Sequence, residues 1–200
     1  LAYGIQALAG GITAMAMHGT VDYSRRAYFL AEEELAQRAT LDALTSVLNR
    51  RHFIELGEAA LSRLRSGDML TACFIDLDHF KRVNDEGGHR LGDQLLSAVA
   101  QCLLDLEGPG RLIGRVGGEE FAMLLSGMRA GDAERITKGL CERIATLQVG
   151  EFSCTASVGI AEWHPGESLS DLLHRADLAL LHAKRTGRNR IVRWRENLAA

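Results

Sequence analysis

The sequence has no paired-cysteine motif, no surplus of positive charge, no internal repeat and no low-complexity tract. The four cysteines, Cys73, Cys102, Cys141 and Cys154, are scattered without a C-x-x-C pair. Cys73, Cys102 and Cys154 lie inside apolar runs, where a reduced thiol packs as a small hydrophobe in a reducing cytosol. Lysine and arginine total 23 against 26 aspartates and glutamates, a net charge of −3. No basic surface is therefore indicated that would grip the backbone of a nucleic-acid polymer. A polyphosphate substrate would have to be held by local positive charge and metal.

Charge is also missing from the N-terminus. Residues 1–21 contain no Asp, Glu, Lys or Arg, and Arg25 and Arg26 follow. An apolar stretch of that length with positive charge behind it reads in two ways. It is either the end of a transmembrane segment, its charged flank cytoplasmic, or an apolar linker interrupted by Gly4, Gly10, Gly11 and Gly19. It lacks the charged start of a cleavable signal peptide. The chain opens on Leu1 rather than Met, so it is expected to be part of a longer protein, with membrane anchoring upstream as one of these two readings.

What is present suits one soluble domain. The hydrophobic fraction is 46% and the charged fraction 24%, and 200 residues are enough for a real core. Residues 22–40 are polar and helix-favouring, with Tyr28, Ala31, Leu35 and Ala39 at helical spacing. They are expected to form a stalk helix that pairs with its copy in a dimer. The remainder, 41–195, is one domain. A turn at 42–51 leads into a helix over 51–65. Strands are expected at 69–77, 111–116, 120–125, 152–162 and 190–194, and further helices at 91–106, 130–147 and 169–185. Gly117-Gly118 between two strand-like runs signals a hairpin, whose tight turn favours positive φ. This order predicts an α+β fold with a central sheet flanked by helices.

The carboxylates sit where chemistry can use them. Asp76 and Asp78 end the first strand, and Glu119 and Glu120 follow the glycine pair. If those strands are neighbours, Asp76 and Glu119 converge. Gathered carboxylates repel unless a cation joins them, and hard oxygen ligands suit Mg²⁺ or Mn²⁺. The bland alternative is a pair of solvated acidic turns. Lys81 follows Asp78, and Lys184, Arg185 and Arg188 cluster at the end of the last long helix. Such cations fit phosphate, or simply complement the helix dipole. Asn84 and Asp93 flank the stretch Gly87-Gly88-His89. A carboxamide plus a carboxylate matches the donor and acceptor edge of guanine. Either residue alone would read as an ordinary turn or cap residue.

Taken in order, these blocks resemble one family. Gly117-Gly118-Glu119-Glu120-Phe121 is the GGEEF form of the motif that names the GGDEF diguanylate cyclases. Asp42 to Arg51 is similar to the family's D-x-L-T-x-L-x-N-R-R opening, and Asp76 to Asp85 to its D-x-D-x-F-K-x-x-N-D segment. Gly88-His89, Gly92-Asp93, Thr155 to Ala161 and Ala176 to Asn189 complete the series. The resemblance covers residues 40–193. It implies a five-stranded sheet surrounded by helices, similar to the polymerase palm and class III nucleotide cyclases.

It also implies roles. Asp76 and Glu119 would bind Mg²⁺ (or Mn²⁺), assisted by the Leu77 carbonyl, with Glu120 a further ligand or the general base. Glu119, Glu120 and Lys81 would be catalytic. Asn84 and Asp93 would read guanine, with His89 beside them. Phe80, through its backbone amide, and Lys81 would hold the triphosphate, and Lys184 and Arg188 its terminal phosphates. The implied reaction condenses two GTP into cyclic di-GMP and two pyrophosphates within a homodimer of cytoplasmic domains. The alternative is a catalytically weak module that binds GTP or cyclic di-GMP and regulates a partner.

Four departures stand out. Ser46 replaces a usual glycine, Gly87 a usual aromatic and Leu181 a usual tyrosine. Gly87 is expected to loosen a loop carrying Asn84. Gly108 and Arg111 occupy the positions of the family's R-x-x-D product site, so feedback through that site is not expected.

Overall fold

The structure, a computed structural model, describes residues 39–196. The anchoring segment expected at 1–21 and nearly all of the stalk expected at 22–40 lie outside the described residues. Among those described, no helix is long and apolar enough to cross a membrane.

Six strands form one mixed sheet in the order β1-β3-β4-β2-β5-β6. They are β1 (Leu48–Asn49), β2 (Leu70–Leu77), β3 (Arg111–Arg115), β4 (Glu120–Ser126), β5 (Ala156–Glu162) and β6 (Ile191–Arg193). The helices are α1 (Arg50–Leu61), α2 (Phe80–Gly87), α3 (His89–Leu104), α4 (Ala130–Thr146) and α5 (Leu169–Arg185). The α+β expectation holds. The additional strand is β1, a two-residue edge piece parallel to β3. It is too short to carry any periodicity.

β2 is the central strand, antiparallel to both β4 and β5. Covered on both faces, it is apolar nearly throughout. Cys73, Ile75 and Leu77 point into one core with Leu95, Val99 and Leu103 of α3 and Leu140 and Ile144 of α4. Leu70 and Ala72 point into the other, with Phe53 of α1 and Leu172 and Ala176 of α5. Strand alternation then puts Asp76 on the α1/α5 face. Burial of large apolar side chains at roughly 1.5–3 kcal/mol each makes these two layers the main source of stability.

Three helix expectations change. α1 begins where the Asn49 side chain accepts from the His52 N–H at 2.9 Å. It stops at Leu61 rather than 65, because Asp68 takes the Arg65 N–H at 2.7 Å and turns the chain. A helix not expected, α2, fills residues 80–87, so Asn84 sits on a helix and not on a loop. Gly87 ends that helix, where an added Cβ would meet the Phe152 ring at 3.1 Å and Leu91 at 3.3 Å. The next helix starts at His89, and its expected C-terminus at 106 falls back to Leu104. Residues 152–155 are not part of β5; Phe152 only bridges to Val149. The four thiols are free, with Cys73, Cys102 and Cys154 buried. Burial pushes Cys73 and Cys141 up to about 12, so they are packing groups.

Candidate active site

The site lies at one end of β2. Register sets Asp76 opposite Glu120 on the neighbouring β4. The Leu77 N–H donates to the Glu119 carbonyl at 3.4 Å, so the turn at 116–119 folds back over the strand end. The backbones that carry Asp76, Glu119 and Glu120 are thereby adjacent, and Asp76 and Glu119 lie close enough to feel each other's charge.

The glycine pair works differently from the hairpin rule. Neither Gly117 nor Gly118 has positive φ. A Cβ on Gly117 would stand 2.1 Å from a Glu120 carboxylate oxygen, so any side chain there would displace the Glu120 carboxylate. The turn is then stiffened from outside. Val116 and Gly117 N–H groups donate to the Glu120 carbonyl at 2.9 and 3.3 Å. The Arg115 guanidinium donates to the Gly118 carbonyl at 2.7 and 3.1 Å and to Asp42 at 3.0 Å. Burial works against ionisation of Asp42, but hydrogen bonds from Thr45 and Arg115 outweigh it and hold its carboxyl below the usual aspartate range. The opening motif therefore braces the acidic turn.

Asp76 is 4% exposed, and Lys184 reaches it from α5 at 2.6 Å. Burial raises the Asp76 carboxyl above the ordinary aspartate value, while Lys184 and then Arg188 pull it part of the way back. Glu119 is raised by burial first and by the Asp76 charge second. Two mutually repelling carboxyls held together by the fold mark a site built for added positive charge. Asp76, Glu119, Glu120 and the Leu77 carbonyl are all hard oxygen donors. Among the described residues no group of three or more His, Cys, Asp or Glu side chains is placed to hold an ion by itself. That donor set fits Mg²⁺ or Mn²⁺, which take few protein ligands and complete their shell with water and phosphate.

The remaining predicted residues sit on α2, on α3 and at the end of α5. Arg188 follows α5 and lies close enough to Asp76 for its charge to be felt. Lys81 is exposed in the first turn of α2, and Phe80, 5% exposed, anchors that turn in the core. The N–H groups of Phe80 and Lys81 stand at the helix N-terminus, where backbone donors have no helical acceptor. Asn84 lies against the start of α3: a Cβ on Gly92 would be 2.0 Å from the Asn84 Oδ1. Asp93 is the next residue along α3 and is exposed. His89 is exposed at the first position of α3. A cleft of about 420 Å³ between α1 and α5 opens on Glu120.

Sequence reasoning placed Asp78 at the strand end but gave it no role. It is 4% exposed and accepts hydrogen bonds from Thr155 Oγ1 at 2.7 Å, Ser157 Oγ at 2.7 Å and the Asn189 N–H at 2.9 Å. These partners lie 77 to 111 residues away along the chain, so no local pattern announces them.

A palm-like α+β sheet with an acidic turn and a basic helix end facing each other defines the class: a nucleotide-handling domain. The match is also specific, and this chain belongs to the family described as diguanylate cyclase, GGDEF domain, whose model matches residues 39–190. It is 36% identical over 163 residues to the diguanylate cyclase DgcM of Escherichia coli, an alignment covering 80% of this chain and 40% of DgcM. The chain thus spans well under half of that relative. Among solved structures, the GGDEF domain of DgcB from Caulobacter crescentus, in complex with c-di-GMP, is 34% identical with a TM-score of 0.75. That superposition covers 78% of this chain and 95% of the other. The active GGEEF domain of a diguanylate cyclase from Vibrio cholerae is 33% identical with a TM-score of 0.70, covering 74% of this chain and 97% of that one.

Proposed function

We propose that this chain condenses two GTP into cyclic di-GMP, releasing two pyrophosphates, as a metal-dependent homodimer. The observation that carries this reading is the register that puts Asp76 opposite Glu120 with Glu119 folded onto Leu77. Asp76, Glu119 and the Leu77 carbonyl would hold Mg²⁺ or Mn²⁺, which would lower the pKa of a coordinated hydroxyl and offset phosphoryl charge.

The protein's own groups do the rest. Asn84 and Asp93 take the guanine edge, with His89 at the rim. The N–H groups at the start of α2, with Lys81, Lys184 and Arg188, hold the triphosphate. The 3′-hydroxyl oxygen of one GTP attacks the α-phosphorus of the other. A new P–O bond forms, the bond to the β-phosphate oxygen breaks, and pyrophosphate departs. Glu120 either accepts the hydroxyl proton or would add an oxygen ligand to the ion. Each domain holds one GTP, so two copies must face each other, and the step repeats to close the ring. Lys184 leaves Asp76 for phosphate when substrate and ion enter.

That same ion pair favours a second reading. If Lys184 stays on Asp76, the domain is a catalytically weak module that binds GTP or cyclic di-GMP and regulates a partner. At the R-x-x-D positions, Arg111 donates to the Leu106 carbonyl at 2.8 Å, so feedback through that site is not proposed. Incubation of the protein with Mg²⁺ and GTP, ATP or both, followed by chromatography, separates the readings. Cyclic di-GMP from GTP alone is expected, with Asp76→Ala and Glu120→Gln each lowering the rate at least about a hundredfold. Full synthesis by either variant would sink the assignment.

A further inference from the structure

The chain between α5 and β6 adopts an uncommon backbone. Gly187, Arg188 and Asn189 have φ of 123°, 58° and 45°, three positive values in succession. Gly187 needs no explanation, since the Arg188 N–H bonds the Ala183 carbonyl at 3.0 Å in a Schellman-type helix end. Arg188 and Asn189 do. Left-handed backbone costs a side-chain-bearing residue about 1–2 kcal/mol, so something must hold the pair.

The buried carboxylate of Asp78 is that holder. It accepts the Asn189 N–H on one oxygen, and the same oxygen also takes Thr155 Oγ1, while the other takes Ser157 Oγ. Its own N–H is fixed to the Thr155 carbonyl at 2.8 Å. Thr155 and Ser157 lie at the head of β5, so the acceptor is clamped to the sheet. A carboxylate accepts all three donors, whereas an amide would turn its NH₂ toward at least one of them.

We propose that Asp78 is a positioning residue for the triphosphate: it locks the left-handed Arg188-Asn189 turn and so aims Arg188 at the substrate. This rests on the reading of Arg188 as a phosphate ligand. Asp76 and Asp78, two residues apart, then divide the work. The first takes part in the site and the second shapes the loop that faces it. Among the described residues, no hydrogen bond joins Asp78 to Asn84, Asp93, Glu119 or Glu120, so its loss is expected to act first on the phosphate end.

The test compares two ligands that share guanine but not the terminal phosphates. 3′-Deoxy-GTP cannot form the product bond, and GMP lacks the β- and γ-phosphates. Asp78→Asn is expected to weaken 3′-deoxy-GTP binding about tenfold, near one charge-assisted hydrogen bond, and to leave GMP within about twofold. It should add nothing on an Arg188→Ala background. Thr155→Ala, at a half-buried position, removes one donor without burying an amide. It should show the same pattern at about threefold, should Asp78→Asn fold poorly. Equal weakening of both ligands, or additive losses with Arg188→Ala, overturns the proposal. Arg188→Ala that weakens the triphosphate beside an unaffected Asp78→Asn overturns this inference alone. Undiminished triphosphate affinity in Arg188→Ala overturns the phosphate reading and this inference with it.

Discussion

Ser46 holds φ at 60°, the left-handed region, in the turn that precedes β1. The family resemblance implies a glycine there, and the backbone explains why. Ser46→Gly is expected to raise stability by about 1 kcal/mol, read as a shift in denaturant midpoint with unchanged slope. Glu119 carries a different kind of cost. Its folded pKa is raised above the ordinary glutamate value of 4.5 by burial and by Asp76. Below 4.5 the carboxyl is protonated in both states and imposes no penalty. As pH rises through the raised folded value, ionisation is less favourable in the folded state and stability is lost. Glu119→Gln is therefore expected to melt higher than the parent at pH 7.5 without metal. The gain is at most about 1 kcal/mol, since the carboxylate is partly solvated, and it vanishes near pH 4. Thermal melts at the two pH values read it directly.

At the scale of elements, what could be read from the sequence followed periodicity. β2, α3, α4 and α5 carry long regular apolar patterns and came out within a few residues of expectation. α2 did not, because a helix of eight residues buries only Phe80, Val83 and little else, too few for a period to emerge. The residues of the acidic turn were legible, but the setting of Gly117 was not: its φ is not positive, and what a side chain there would disturb is the Glu120 carboxylate. Gly159 is a third case, a glycine set by tertiary contact. A Cβ there would lie 2.0 Å from the Ala176 carbonyl and 2.3 Å from the Leu180 N–H, so α5 rests its backbone on β5. Gly159→Ala is expected to destabilise the fold by roughly 3 kcal/mol, or to push α5 away and separate Lys184 from Asp76. Chemical denaturation measures the first and loss of GTP affinity the second.

For the molecule as a whole, the net charge of −3 means that no long-range field gathers an anionic substrate. On the proposed reading attraction is local, from Lys81, Lys184 and Arg188 around Asp76 and Glu119, and a divalent ion and a triphosphate enter together, each supplying what the other lacks. Mn²⁺ binding followed by electron paramagnetic resonance, with and without 3′-deoxy-GTP, tests this most directly. Tight Mn²⁺ uptake is predicted only with the nucleotide present, and Asp76→Ala should abolish the protein's share of it. Mn²⁺ bound equally well by Asp76→Ala, in the presence of the same nucleotide, would contradict the account.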